Sequence, residues 1–200
     1  FDILLKAWAN TFTKNDDVEL IVKDTPQVYG KTQLQEQLIK LQYTNNLAKI
    51  TYIDDSYTEE QMADLYRSAH VLVHPYRGEG FGMPIQEAIA CGTIPLVTSK
   101  GCTDEFVTDY KIESNQKLVD INNIFAGKPG DSFNLMGSHT WVIEPDIQDL
   151  MKKMKMLYDA KKTAIPRSDK IKTWEDVGYQ YYKALKAVKE YPNIKRVHGN

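Results

Sequence analysis

Short runs of almost wholly apolar residues recur between helix-periodic segments through the first half of the chain, and this alternation constrains the fold most. The runs are Val18-Glu19-Leu20-Ile21-Val22, Ile50-Thr51-Tyr52-Ile53, Val71-Leu72-Val73 and Ile94-Pro95-Leu96-Val97. Between them, Ile3, Leu4, Ala7, Trp8 and Phe12 repeat at helical spacing, as do Leu34, Leu38 and Leu41, and then Met62, Leu65, Tyr66 and Ala69. Thr58-Glu59-Glu60-Gln61 has the form of a capping box ahead of the third helix. A short helix is predicted over Met83–Cys91. Strands that are apolar on both faces and separated by helices imply a parallel sheet covered on both sides. The expected core is therefore a doubly wound α/β domain.

The second half is less regular. Polar and Gly-containing stretches over 110–140 read as a long excursion holding one or two short strands. Pro145 is then expected to start a helix with Ile147, Leu150, Met151, Met154, Leu157 and Tyr158 on its apolar stripe, and a last helix is predicted from Thr173 to Val188. No internal repeat or low-complexity segment is present. A length of 200 residues suits one ordinary domain, or at most two very small ones. A formal net charge of −2 leaves no excess of Lys and Arg for neutralising phosphates along a nucleic acid. No apolar run approaches the roughly 20 residues that span a bilayer. Two cysteines, Cys91 and Cys102, are too few for a disulfide scaffold, so the expected setting is cytoplasmic. The first residues, Phe1-Asp2-Ile3-Leu4-Leu5, read like the inside of a helix, and the native start is expected upstream of them.

Chemistry concentrates in one window, His74-Pro75-Tyr76-Arg77-Gly78-Glu79-Gly80-Phe81-Gly82-Met83-Pro84-Ile85-Gln86-Glu87-Ala88. It follows a buried strand and runs into a helix, so it sits at the carboxyl edge of the sheet, where open α/β domains bind ligands. Gly80 and Gly82 allow a sharp turn and close approach of the backbone. Pro84 suits the first helical position, and the free amides of that helix end make an anion site. Counting from Pro84, Glu87 lies about 4.5 Å along the axis. It points away from Ile85, Ala88 and Ile89, and leans back toward the loop carrying Glu79. The two carboxylates are thus expected to flank one pocket.

Glu79 and Glu87, separated by seven residues within Glu79-Gly80-Phe81-Gly82-Met83-Pro84-Ile85-Gln86-Glu87-Ala88-Ile89-Ala90-Cys91-Gly92, resemble the E-x7-E signature of retaining glycosyltransferases with the GT-B fold, in particular the family 4 group. The resemblance covers most of the chain and is weakest over 110–140. It implies a Rossmann-like, C-terminal donor-binding lobe that takes a nucleotide-diphospho-sugar and transfers its sugar with retention of configuration. It further implies that Glu79, the catalytic candidate, contacts hydroxyls of the transferred sugar. Gly80, Phe81, Gly82, Met83 and Pro84 would hold sugar and diphosphate, and Glu87 would accept hydrogen bonds from the ribose. Family members carry an Arg and a Lys ahead of the helix that opens this chain. Those cations and an N-terminal acceptor-binding lobe are expected upstream, with the last helix crossing toward that lobe. On this reading the 200 residues alone are expected to be inactive. No metal or other cofactor is implied. Membrane contact is expected only through the acceptor or the other lobe.

Four residues around the motif are weaker candidates. Lys23 ends a strand at the ligand edge, where it either reaches a phosphate or stays solvated. Tyr57 follows the next strand, beside Asp54, Asp55 and Ser56, at the level where the nucleobase would stack. Arg77 either pairs with phosphate or braces its loop against a carboxylate. His74 reads as structural. Tyr179, Tyr181 and Tyr182 supply more aromatic surface than one helix face buries, and some are expected to be exposed. Rival readings are a non-catalytic nucleotide-sugar-binding module and an epimerase or phosphorylase on the same fold. A P-loop NTPase is more remote: Gly30-Lys31-Thr32 looks like the end of such a loop, but Thr25 stands where Gly is needed and Pro26 removes an amide.

Overall fold

Helix α1 (Asp2–Thr11) buries Ile3, Leu4, Leu5, Ala7 and Trp8, because apolar residues three and four apart share a face. This computed structural model describes residues 2–25, 33–42, 46–120, 139–160 and 173–190. After α1 come β1 (Glu19–Lys23), α2 (Gln33–Gln42), β2 (Lys49–Ile53), α3 (Glu59–Ser68), β3 (Val71–His74), α4 (Met83–Ala90) and β4 (Ile94–Thr98). A 3-10 turn (Cys102–Glu105), β5 (Lys111–Ile112), β6 (Ser114–Asp120), β7 (His139–Pro145), α5 (Ile147–Asp159) and α6 (Trp174–Glu190) complete the order. Two compact units divide the chain, Phe1–Ser168 and Asp169–Asn200.

The first unit is a Rossmann-like α/β domain. β1 and β2 pair in parallel, from Glu19↔Lys49 to Lys23↔Ile53. β3, β4 and β5 form a second parallel ladder in that order. The two ladders are joined by side chains: one buried cluster takes Leu20 and Val22 from β1, Ile94 and Leu96 from β4, Ile112 from β5, and residues of α1, α2 and α5. At the seam of α1 and α5, the Trp8 and Phe12 rings lie 4.8 Å apart and Phe12 meets Tyr158 edge-on at 5.4 Å. The Tyr158 hydroxyl accepts from the Asp17 amide at 3.2 Å.

The capping box forms as the sequence indicates: the Thr58 hydroxyl accepts from the Gln61 amide and the Gln61 side chain accepts from the Thr58 amide. Two positions differ from expectation, those of Pro84 and Pro145. Helix α4 starts at Met83 as predicted, but Gly82 in the left-handed region (φ 76°, ψ 38°) is its N-cap, so Pro84 is the second helical residue and not the first. Its missing N–H is harmless there too, since the first turn has no intrahelical acceptor for it. Pro145 does not start a helix. It ends β7, and Asp146 caps α5 by accepting from the amides of Gln148 and Asp149 at 2.7 and 3.1 Å. A capping carboxylate needs an extended backbone, so it moved the start two residues on. The excursion predicted over 110–140 holds short strands as expected, β5 and β6, and β6 pairs antiparallel with β7 from Ser114↔Pro145 to Asp120↔His139. Residues 121–138 of that excursion, and Gly30-Lys31-Thr32 with Pro26, lie outside the described residues.

In the second unit, Thr173 and Asp176 cap α6 reciprocally, with the Thr173 amide and hydroxyl each 2.8 Å from the Asp176 carboxylate. Tyr179, Tyr181 and Tyr182 are exposed on this helix. Among the described residues, no helix is long and apolar enough to cross a membrane.

Leu96 is fully buried at the centre of β4, whereas Met156 is exposed on α5. Leu96→Ala should cost about 2–5 kcal/mol through lost burial and a residual cavity. Met156→Ala should stay within about 0.5 kcal/mol. Urea denaturation of both variants checks the contrast.

Candidate functional site

The loop between β3 and α4 is held from below before it presents any functional group. Tyr76 is buried, and its hydroxyl donates to the Thr98 carbonyl at 3.1 Å and lies 2.7 Å from the Thr103 hydroxyl. The Thr98 hydroxyl returns a bond to the Tyr76 carbonyl at 2.8 Å. Gly101 makes room for this: a Cβ there would fall 2.3 Å from the Tyr76 hydroxyl oxygen. The loop floor is thereby tied to the end of β4 and to the 3-10 turn.

Arg77 ties the same loop to two other elements. Its Nε and Nη2 donate to both carboxylate oxygens of Glu144 at 2.7 and 2.9 Å. Its Nη1 and Nη2 donate to both oxygens of Asp2 at 2.8 and 2.9 Å. The Arg77 carbonyl accepts from the Ile143 amide at 3.0 Å. Hydrogen bonds from the guanidinium hold the Asp2 carboxyl down at about 2, against 3.8 ordinarily, and hold Glu144 below its usual range. Of the two roles expected for Arg77, the structure displays the brace.

Glu79 folds its carboxylate over the turn that follows it. Its Oε1 accepts from the amides of Gly80, Phe81 and Gly82 at 3.0, 3.4 and 3.1 Å. Its Oε2 lies 3.4 Å from Nε2 of His74. Burial pushes this carboxyl up, but the bonds from the Gly82 amide and the His74 side chain outweigh that and leave it lowered. A carboxylate that is ionised and fixed by three amides is a directional acceptor for hydroxyl groups. Phe81 and Met83 are exposed on either side of the turn. Glu87 lies on the exposed side of α4, opposite Ile85, Ala88 and Ile89, which are buried as the helical count requires. The Tyr66 hydroxyl donates to its Oε2 at 3.3 Å.

Residues 1–126, more than half of the chain, match the protein-family model described as glycosyl transferases group 1. The chain belongs to this family. One relative is the D-inositol 3-phosphate glycosyltransferase 1 of Catenulispora acidiphila, 33% identical over 101 residues, which is 49% of this chain and 24% of that protein. The matched stretch thus spans well under two thirds of that relative's length. The glycosyltransferase match includes the whole β3–loop–α4 window with both carboxylates.

The structure places the remaining predicted residues of this group 1 chain as follows. Lys23 and Tyr57 come together at the ends of β1 and β2, the Lys23 Nζ lying 5.2 Å from the centre of the Tyr57 ring. That amine also donates to the Asp24 carbonyl at 2.6 Å. Gly80, Phe81, Gly82, Met83 and Pro84 follow one another through the turn into α4. Among the described residues, no group of three or more His, Cys, Asp or Glu residues is placed to hold a metal. Four supporting residues had no assigned role from sequence: Tyr66, Tyr76, Asp2 and Glu144. Asp2 and Glu144 lie 75 and 67 residues from Arg77, so no local spacing signals the pairs. Tyr66 read only as one more apolar position of a helix stripe.

Asp2 and Glu144 titrate lower in the folded chain than unfolded, so their contribution is complete above the ordinary carboxylate range. It is lost as pH falls through that range toward about 2, where Asp2 protonates. Arg77→Met should lower stability by about 1–2 kcal/mol at neutral pH, a modest figure because the pairs are partly exposed. It should also move the Asp2 and Glu144 titrations upward and flatten the acid loss of stability. Carboxyl-detected NMR titration together with acid unfolding curves checks both effects.

Proposed function

We propose that this chain is the donor-binding lobe of a retaining glycosyltransferase, taking a nucleotide-diphospho-sugar and transferring its sugar to an acceptor held elsewhere in the complete enzyme. The observation that carries the reading is the turn at Glu79–Gly82. There, three backbone amides and a lowered carboxylate converge at the N-terminus of α4, with Glu87 one turn further along. Family membership and the glycosyltransferase relative support the same reaction class.

The chemistry follows from charge. Transfer breaks the bond between the anomeric carbon and the diphosphate oxygen, so positive charge grows on the sugar and negative charge on the leaving diphosphate. The positive end of the α4 macrodipole is suited to the second, although the amides of Gly80, Phe81 and Gly82 are turned to Glu79 and those of Ile85 and Gln86 to the Gly82 carbonyl. The Glu79 carboxylate is suited to accept from sugar hydroxyls, and Glu87 from the ribose diol. Lys23 and Tyr57 sit at the neighbouring strand ends, suited to phosphate contact and base stacking. In this reading Arg77 acts only through the loop it braces. Catalysis is then chiefly positioning and electrostatic stabilisation of the departing group.

Calorimetric titration of the chain with a panel of nucleoside diphosphates and nucleotide-diphospho-sugars tests the proposal. One base class should saturate a single site. Glu79→Gln should weaken the sugar-bearing ligand about three- to tenfold while leaving the nucleoside diphosphate nearly unchanged, because only the sugar contact is altered. Gly82→Ala should weaken both. Its Cβ would lie 3.1 Å from Thr103 and 3.2 Å from Phe106 at a φ of 76°, and the left-handed conformation alone costs a non-glycine residue about 1–2 kcal/mol. Failure of every panel member to bind would refute a donor lobe. Undiminished sugar transfer by the complete gene product carrying Glu79→Gln would refute the assignment of that carboxylate.

A further inference from the structure

The side chain of Glu87 is exposed, on a helix face turned away from the core. Long exposed carboxylates ordinarily sample several rotamers, and fixing one against a ligand costs entropy. Here one oxygen is held. The Tyr66 hydroxyl reaches Oε2 from the last turn of α3 at 3.3 Å, and among the described residues the Glu87 carboxylate takes no other hydrogen bond or ion pair.

Tyr66 is itself fixed at both ends. Its ring is buried, at 9% exposure. Its backbone carbonyl accepts from the Ala69 amide at 3.1 Å and from the Thr93 hydroxyl ahead of β4. Burial first, and the adjacent Glu87 charge second, push the phenol well above its ordinary range. The hydroxyl is therefore a permanent donor at any pH the protein meets.

We propose that Tyr66 is a positioning residue for ligand recognition: it holds Glu87 by one oxygen so that the other is presented to the ribose diol of the donor nucleotide. This rests on the reading of Glu87 given above. Tyr66 touches no ligand in this assignment and acts only through the carboxylate. Its effect should consequently depend on the diol, which a purely structural phenol would not show.

The test uses Tyr66→Phe, which keeps the buried ring, with two probes: the nucleoside diphosphate that binds the wild type best and its 2′,3′-dideoxy analogue. Calorimetry should find the ribonucleotide weakened about three- to tenfold and the dideoxy analogue unchanged. In a Glu87→Gln background, Tyr66→Phe should add little further loss. Equal loss for both probes, or none for the ribonucleotide, would overturn the proposal. Wild-type indifference to the diol would instead count against Glu87 as the ribose ligand. A ligand-free measurement keeps Tyr66 testable even then. In Tyr66→Phe the side-chain carboxyl 13C resonance of Glu87 should shift and its Cγ order parameter should fall, with exposed Glu60 as the unchanged control. An unmoved Glu87 signal would overturn the positioning role outright.

Discussion

The Arg77 guanidinium is the point on which the loop geometry depends. Four of its hydrogen bonds run to two carboxylates, one at the start of α1 and one near the end of β7. An arginine suits this task because its donors lie in one rigid plane, so two bidentate partners fix its orientation completely. The carboxylates in turn fix where α1 and the β6–β7 ladder meet the β3–α4 loop. Two residues further on stands Glu79. A guanidinium so engaged has little left to offer a phosphate, and its value lies in the stiffness it gives to the turn that follows.

That stiffness matters because the turn concentrates opposing groups. Three amides point at one carboxylate oxygen at the head of a helix whose own dipole is positive there. The arrangement lowers the Glu79 carboxyl despite burial, so the group arrives ionised and already oriented. Gly82 makes this possible: at φ 76° with Thr103 and Phe106 close above it, no side chain fits without strain. The buried Tyr76 hydroxyl and the open Cα of Gly101 play the same part on the underside of the loop.

Much of this was legible from the chain, and what was not shares one cause. The alternation of apolar runs and helical stripes gave the α/β class, although only β4 is buried along nearly its whole length and β1 buries alternate residues, Leu20 and Val22. The Thr58 cap was readable since its partners lie three residues apart. The outward side of Glu87 was readable because Ile85, Ala88 and Ile89 on the same helix are buried. By contrast, the start of α5 was misjudged when two local signals competed, Pro145 and Asp146, and the side-chain cap prevailed. The antiparallel pairing of β6 with β7 was not legible because it joins segments on either side of a polar excursion, and pairing partners are not encoded in either strand alone.

The same division separates the two carboxylates of the candidate site from part of their support. Glu79 and His74 meet across 5 residues and Glu87 and Tyr66 across 21, so one contiguous stretch from α3 to α4 brings each carboxylate together with its donor. The brace on Arg77 draws on residues 75 and 67 positions away. It therefore leaves no local trace, although it determines how the contiguous unit is aimed. A substitution at Asp2 or Glu144 would leave the signature intact to any reading of spacing while loosening the loop that bears Glu79. For this fold, the support of the two carboxylates is of two kinds, near donors at His74 and Tyr66 and a distant brace through Asp2 and Glu144, and only the first lies within one stretch of chain.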